Sequence, residues 1–260
     1  MLLLGKQNVR LTNDEKAKAY NEIVPIVQNF RRKHMPDDQK VEDTFLMLEQ
    51  QLGYFIVRFP AKDNDVSGFH IEKSGFHCIY INSGHPLGRQ FFSAWHECYH
   101  AINGQTGVSL MGDLDNDIEE YKAECFAGCI LMPEKLVRQY IAVHSINLAF
   151  LKYTDIIKMQ NFFGVSYSAI IARLIQLFPV HIKVLKQRYA LKNLSRAKEL
   201  EKRTLEAGCS IKLIKPTNDF YVSREFIEDI QSNFRNKRIS QEKAGSLINL
   251  IESMGTKNGS

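Results

Sequence analysis

A chain of 260 residues that is 44% hydrophobic, with 34 Lys and Arg against 29 Asp and Glu and a net charge of +5, excludes a disordered protein and allows one larger domain or two small ones. No apolar run reaches the roughly eighteen residues of a membrane span, and Met1-Leu-Leu-Leu-Gly5 is too short, and lacks the basic flank, for a secretory signal. The five cysteines, Cys78, Cys98, Cys125, Cys129 and Cys209, are odd in number and scattered, so a reduced cytoplasmic setting is expected.

In chain order, a first helix is expected over Asn13 to Lys33, entered at a Thr12/Asn13 cap, ended before Met35-Pro36-Asp37-Asp38 and kinked at Pro25. A second, Val41 to Leu52, carries Val41, Phe45, Leu48 and Leu52 as its apolar stripe. Beyond Gly53, Tyr54 to Phe59 is strand-like, and Ser67 to Ile71 with Phe76 to Asn82 reads as a hairpin turning near Lys73-Ser74-Gly75. A small antiparallel three-stranded sheet follows from these segments. His70, His77 and His85 read as packed or surface side chains rather than metal ligands.

Phe91 to His100 contains His96-Glu97-x-x-His100. On a helix the two imidazoles lie on one face a turn apart and can meet a single ion, with the Glu97 carboxylate beside them to handle the protons of a bound water. Phe92, Trp95, Tyr99 and Ile102 recur at helical spacing on the side away from the histidines and are assigned to the core.

Two histidines leave a tetrahedral ion short of a protein ligand, and the acidic segment Asp113 to Glu124 is the nearest source. A helix is expected from Ile118 to Met132, with Ala123, Ala127, Ile130 and Leu131 as its apolar stripe and Pro133 at its end. Glu120 and Glu124 share a face. One carboxylate can bind the ion while the other accepts the free ring N–H of His96 or His100, and Glu120 is the better ligand candidate. Ala123, Ala127 and Gly128 permit close approach to the helix that carries His96 and His100. Asp113, Asp115, Asp117 and Glu124 also match the first, third, fifth and twelfth positions of an EF-hand loop, but Ile118 stands where that loop needs glycine. Asp113 to Asp117 are therefore read as a solvated cap favoured by the helix dipole. Cys125 and Cys129 are read as packed thiols.

The pair His96-Glu97-x-x-His100 and Glu120-Tyr-Lys-Ala-Glu-Cys-Phe-Ala-Gly-Cys-Ile-Leu-Met-Pro133 resembles the ImmA/IrrE family of metallopeptidases, in which His-Glu-x-x-His is followed by a helix of the type Glu-x-x-Ala-Asn-x-Phe-Ala-x-x-Leu-Leu-Met-Pro. The resemblance implies a zincin-like core with one zinc ion per chain, held by His96, His100 and Glu120, and Glu97 as the catalytic base. Glu124 matches the position that supports a ligand histidine in thermolysin-type gluzincins. The chain departs from the family at Tyr99, often glycine, and at Glu124, usually asparagine. By analogy with the fold, Cys78-Ile79-Tyr80-Ile81-Asn82 is expected to be the edge strand to which a peptide substrate adds. Arg89, in a Gly-Arg pair ahead of the metal helix, is expected to pair a carboxylate or substrate, a solvated arginine being the alternative. The resemblance also implies a substrate that is a transcriptional repressor of a mobile element or stress regulon, cut to relieve repression.

Beyond Pro133, Leu136 to Val143 continues as a helix, and Thr154 to Leu177, with Gly164 as turn and Ser166 as cap, has a helix-turn-helix outline. Its second helix is mostly apolar, with Arg173 its only basic residue, so packing or substrate docking is expected rather than groove reading. From His181 onward 16 Lys and Arg face 9 Asp and Glu, which makes this region a candidate surface for nucleic acid or an acidic partner. Val184 to Leu205 is expected as a basic surface helix, Ile211 to Ile214 as a short strand or turn, and Ser223 to Asn233 and Ser240 to Met254 as helices, with a disordered tail from Gly255 to Ser260.

The reading is an α+β protein: a zincin-like core over residues 1–135, a helix-turn-helix-like module over 136–180 and a basic, mainly helical region over 181–260. It is expected to be a cytoplasmic zinc endopeptidase with no membrane contact, the rival being a non-catalytic zinc-containing DNA- or protein-binding regulator. Tyr140, Tyr153 and His144 are the candidate donors to a tetrahedral oxyanion.

Overall fold

The computed structural model describes residues 10–35, 39–61, 63, 65–73, 75–105, 107–110 and 116–256. Helix α1 (Asn13–His34) starts at a reciprocal capping box: the Thr12 hydroxyl accepts from the Glu15 amide at 3.2 Å, and the Glu15 carboxylate accepts from the Thr12 amide at 2.8 Å. It runs unbroken through Pro25 and buries Ala19, Ile23, Val27 and Arg31. The stripe expected over Val41 to Leu52 does deliver Phe45 and Leu48 to the core, but from a shorter element. Helix α2 is a single turn (Thr44–Leu46), capped by Asp43, that widens into a π-helical turn over Met47–Gln51.

The sheet departs from the expected antiparallel three-stranded arrangement. Its strands are β1 (Phe55–Phe59), β2 (Val66–Lys73), β3 (Phe76–Asn82), β4 (Gly107–Leu110) and β5 (Tyr221–Val222), in the order β4-β2-β3-β1-β5. The hairpin β2–β3 is antiparallel, with Lys73 opposite Phe76 and Gly68 opposite Ile81. It folds back so that β3 falls between β2 and β1, and β1 pairs with it in parallel from Phe55↔Cys78 to Phe59↔Asn82. The physical reason is burial: Ile56, Ile79 and Ile81 are fully buried, which a central strand pair achieves and an outer one does not.

This placement overturns the expectation that Cys78-Ile79-Tyr80-Ile81-Asn82 is an edge that receives substrate. Both edges of that strand are already hydrogen-bonded to β1 and β2. Asn82 is itself structural: its amide donates to the Val66 carbonyl at 2.9 Å and accepts from the Ala61 and Gly84 amides at 3.0 and 2.9 Å.

Helix α3 (Leu87–Ile102) lies across β2 and β3, and α4 (Ile118–Leu131) packs between α3 and α1. The C-terminal carbonyls of α4 are satisfied by two buried arginines: Arg31 of α1 donates to Ile130 O at 2.6 Å, and Arg173 donates to Met132 O at 3.0 Å. Next come α5 (Glu134–Val143), α6 (Tyr153–Phe163) and α7 (Tyr167–Leu177); Gly164 takes φ 66° between the last two, and the Ser166 hydroxyl accepts from the Ala169 amide at 3.2 Å. Helix α7 turns Ile170, Ile171 and Leu174 into the core, and Arg173 is only 4% exposed. One buried cluster runs from Ile23 to Leu200, crossing both 135/136 and 180/181.

The long basic helix expected over Val184 to Leu205 is instead two helices, α8 (Ile182–Tyr189) and α9 (Ala197–Glu206), separated by single 3-10 turns that flank an extended Asn193. Ile211–Ile214 is a 3-10 turn rather than a strand. Helices α10 (Arg224–Arg235) and α11 (Gln241–Thr256) follow; α11 carries helix through Gly255 and Thr256, where a disordered tail was expected, and residues 257–260 lie outside the described residues. Among the described residues, no single helix is long and apolar enough to cross a membrane.

The α6–α7 turn sits on the first turn of α3 at Gly88. A Cβ there would stand 2.6 Å from the Val165 carbonyl carbon and 2.8 Å from the Ser166 nitrogen, both main-chain atoms that cannot swing aside. Gly88→Ala is therefore expected to cost about 1–3 kcal/mol from overpacking, more than the roughly 0.5–1 kcal/mol that alanine gains over glycine in a helix. Denaturant unfolding measures it. A variant as stable as the parent would mean that the contact is looser than described.

Candidate metal centre

Helix α3 buries nearly its whole length. Trp95 and Cys98 are fully covered, and His96, Glu97 and His100 are 5%, 1% and 8% exposed. Of the stripe expected on the far side from the histidines, Trp95 and Tyr99 are core, whereas Ile102 is 44% exposed and Phe92 lines the cleft beside His96. Helix α4 begins at Asp117, whose carboxylate accepts from the Glu119 and Glu120 amides at 2.8 and 3.5 Å, so Glu120 sits in the first turn, aimed at α3. Asp113 and Asp115 lie outside the described residues.

Three donors converge. His96 Nε2 is 3.0 Å from Glu120 Oε2, His100 Nε2 is 3.4 Å from Glu120 Oε1, and the two Nε2 atoms are 3.1 Å apart. Donors bound to one tetrahedral zinc at roughly 2.0–2.1 Å would stand about 3.3 Å from one another. Two imidazole nitrogens and a carboxylate oxygen, already at that spacing, fit such an ion in both geometry and chemistry.

Electrostatics agree. Burial alone would raise the Glu120 carboxyl, but hydrogen bonds from His100 and His96 outweigh it and hold the group down at about 2. Burial also works against charge on His96 and His100, yet the hydrogen bonds to Glu120 and the nearby carboxylates raise both above the ordinary histidine value. Glu97 is pressed against β2, where a Cβ on Gly68 would come within 3.3 Å of its Oε1 and 2.7 Å of the Tyr80 carbonyl. A side chain larger than hydrogen at residue 68 would displace the carboxylate.

The site opens into a cleft of about 620 Å³. His96, Glu97, Glu120 and Glu124 form its polar floor, Phe92 and Gly128 flank it, and the outward face of α7 (Ser168, Ala169, Ala172, Ile175 and Gln176) makes the opposite wall. Residues 49–174 match the family described as Peptidase_M78, IrrE N-terminal-like domain. Residues 49–174 belong to the ImmA/IrrE family of metallopeptidases. No curated protein matches the chain closely enough to count as a relative. The match spans α3, α4, α6 and α7 as far as Leu174, so Ser168, Ala169 and Ala172 of the α7 wall lie inside the ImmA/IrrE region.

Within this ImmA/IrrE domain the structure brings His96, Glu97, His100 and Glu120 to one place. Glu124 is less closely engaged than expected: its Oε1 is 3.9 Å from His96 Nδ1, beyond hydrogen-bond distance, although its charge still acts on that ring. Arg89 is half-buried and makes no direct ion pair among the described residues; it donates to Ser67 Oγ on β2 at 2.7 Å and lines the cleft. Tyr140, Tyr153 and His144 do not line it: Tyr140 stacks on His144 at 4.0 Å, and Tyr153 lies between the Arg188 and Arg203 guanidinium groups.

Outside the three ligand candidates, the side chain that bonds His100 is Gln105, and Glu119 follows behind it. Neither belongs to a recognisable motif. The only sequence signal was a polar residue soon after the helix and a second acid beside Glu120.

An ion needs both imidazoles unprotonated at Nε2, whereas the metal-free rings keep their protons to higher pH than an ordinary histidine. In the metal-free protein the attraction between ring and carboxylate stabilises the fold below the unfolded histidine pKa of about 6.5 and fades as pH rises through the raised folded values. Metal affinity has the opposite slope and is expected to climb as pH rises through those raised values, with release of protons. Chelator-competition titrations at stepped pH read this; a flat profile would mean that the imidazoles are not the ligands.

Proposed function

We propose that the protein is a zinc-dependent endopeptidase whose substrate is a transcriptional repressor of a mobile element or stress regulon. The observation that carries the peptidase reading is the convergence of His96, His100 and Glu120 beside a buried Glu97 at the floor of an open cleft. The repressor rests on the resemblance to ImmA/IrrE proteins.

His96 Nε2, His100 Nε2 and one Glu120 oxygen would hold the ion. Zinc, when bound, supplies Lewis acidity and a water that ionises near neutrality. Glu97, adjacent in sequence to a ligand and fixed against Gly68, accepts a proton from the attacking water and delivers it to the leaving amine. Because β3 is enclosed, the strand placed to extend the sheet with substrate is β4 (Gly107–Leu110), which pairs with β2 on one side and has no partner strand on the other among the described residues. The α7 wall, with Ser168, Ala169 and Ala172 among its side chains, leaves room for an extended chain between it and α4. The rival DNA-reading function gains no support from α7, since Arg173 is committed to Met132 O, Tyr20 and Gln176.

Glu97→Gln keeps the shape of the side chain and removes the base. It is expected to bind zinc like the parent and to lose about 10²–10⁴-fold in cleavage rate. The measurement is co-expression or mixing with repressors encoded nearby, with fragments mapped by mass spectrometry. Salt-dependent binding to duplex DNA that Glu97→Gln leaves intact, with no fragments from the parent, would favour the regulator instead.

A further inference from the structure

His100 is held from behind by groups that lie outside the ligand motif. Its Nδ1 stands 2.8 Å from Gln105 Oε1, and Gln105 Nε2 stands 3.2 Å from Glu119 Oε2. A carboxylate only accepts, so the amide nitrogen must face Glu119 and the amide oxygen must face His100. That oxygen also only accepts, so the proton of His100 belongs on Nδ1 and the Nε2 lone pair is turned toward His96 and Glu120.

Glu119 is anchored in its turn. It accepts from the Tyr99 hydroxyl at 3.1 Å and from the Lys122 ammonium at 3.1 Å, and Lys122 reaches Glu22 of α1 at 3.1 Å. The main chain of Gln105 is gripped separately: His70 Nδ1–H donates to its carbonyl at 2.9 Å, and His70 Nε2 lies 3.1 Å from His77 Nδ1. Gln105 is thus held at two points, its side chain by a carboxylate on the same helix as Glu120 and its main chain by a buried histidine of the sheet.

We propose that Gln105 and Glu119 are positioning residues that set the tautomer and rotation of His100 for metal binding. The proposal rests on reading His96, His100 and Glu120 as metal ligands. An amide suits this place because it fixes the Nδ1 proton without adding charge to a cleft floor that already holds Glu97, Glu120 and Glu124. The carboxylate that polarises it is one bond network further out, on a side chain that is 38% exposed and neutralised by Lys122.

The test is zinc affinity of the full chain, measured by competition against a chromogenic chelator. Gln105→Met, close in volume and without an acceptor, is expected to lose about 10–100-fold. Exchanging the two groups, Gln105→Glu with Glu119→Gln, keeps an acceptor for His100 and a donor behind it, and is expected to return affinity to within about threefold of the parent, well inside that loss. Gln105→Met binding like the parent overturns the proposal, and so does an exchange variant as weak as Gln105→Met, since packing rather than the hydrogen bond would then be at work. His100→Ala is the reference: if it binds zinc as the parent does, or if the parent binds none, the metal reading itself has failed. Should Gln105→Met not fold, nitrogen–proton correlation spectra of the zinc-loaded parent decide. A proton on Nδ1 of His100 with zinc on Nε2 is expected, and zinc on Nδ1 overturns it.

Discussion

Two imidazoles and a carboxylate standing 3.0–3.4 Å apart impose a single requirement on the molecule: α3 and α4 must be held in one register and at close range. Sliding α4 by one turn would move Glu120 by about 5.4 Å and leave buried charge without its partner, which is far more costly than a lost surface contact. The small side chains Ala123 and Ala127, both fully buried, let the helices approach, and Phe126 packs on Tyr99 with ring centres 5.6 Å apart. Register is fixed at the far end of α4 by Arg31 and Arg173, which draw α1 and α7 onto its last carbonyls.

The sheet serves the same constraint from the other side. Gly68 lets β2 come close to Glu97, so strand backbone helps to position the base. Enclosing β3 between β1 and β2 makes that platform stiff, and the C-terminal region completes it. Strand β5 joins β1, the Ser223 hydroxyl donates to the Ile56 carbonyl at 3.2 Å, and Thr217 meets Gln90 of α3 at 2.9 Å. Residues beyond 174 therefore support the peptidase domain.

The helix-turn-helix outline shows how one local pattern serves two ends. A glycine turn and a serine cap join α6 to α7 in a helix-turn-helix outline, yet α7 buries its only arginine and turns Ser168, Ala169 and Ala172 to the cleft. Groove reading needs exposed polar and basic side chains. Walling a cleft needs small ones that leave space, and α7 has those.

Short-range physics made much of this legible from the sequence. Helical periodicity put His96 and His100 on one face beside Glu97, the acid-rich start and proline end bounded α4, and Thr12 and Asp117 announced their helices by capping chemistry. Strand order was not legible, because alternation reports which face is buried and not which strand lies alongside; the parallel β1–β3 pair depends on where the hairpin folds back. The same holds behind the ligands. Glu124 is spaced to reach His96 yet stops at 3.9 Å, while Gln105 reaches His100 because the chain leaving α3 turns back under it. Periodicity fixes neighbours within a helix, whereas contacts between a helix and a loop are set by rotations and offsets that only the packed core decides.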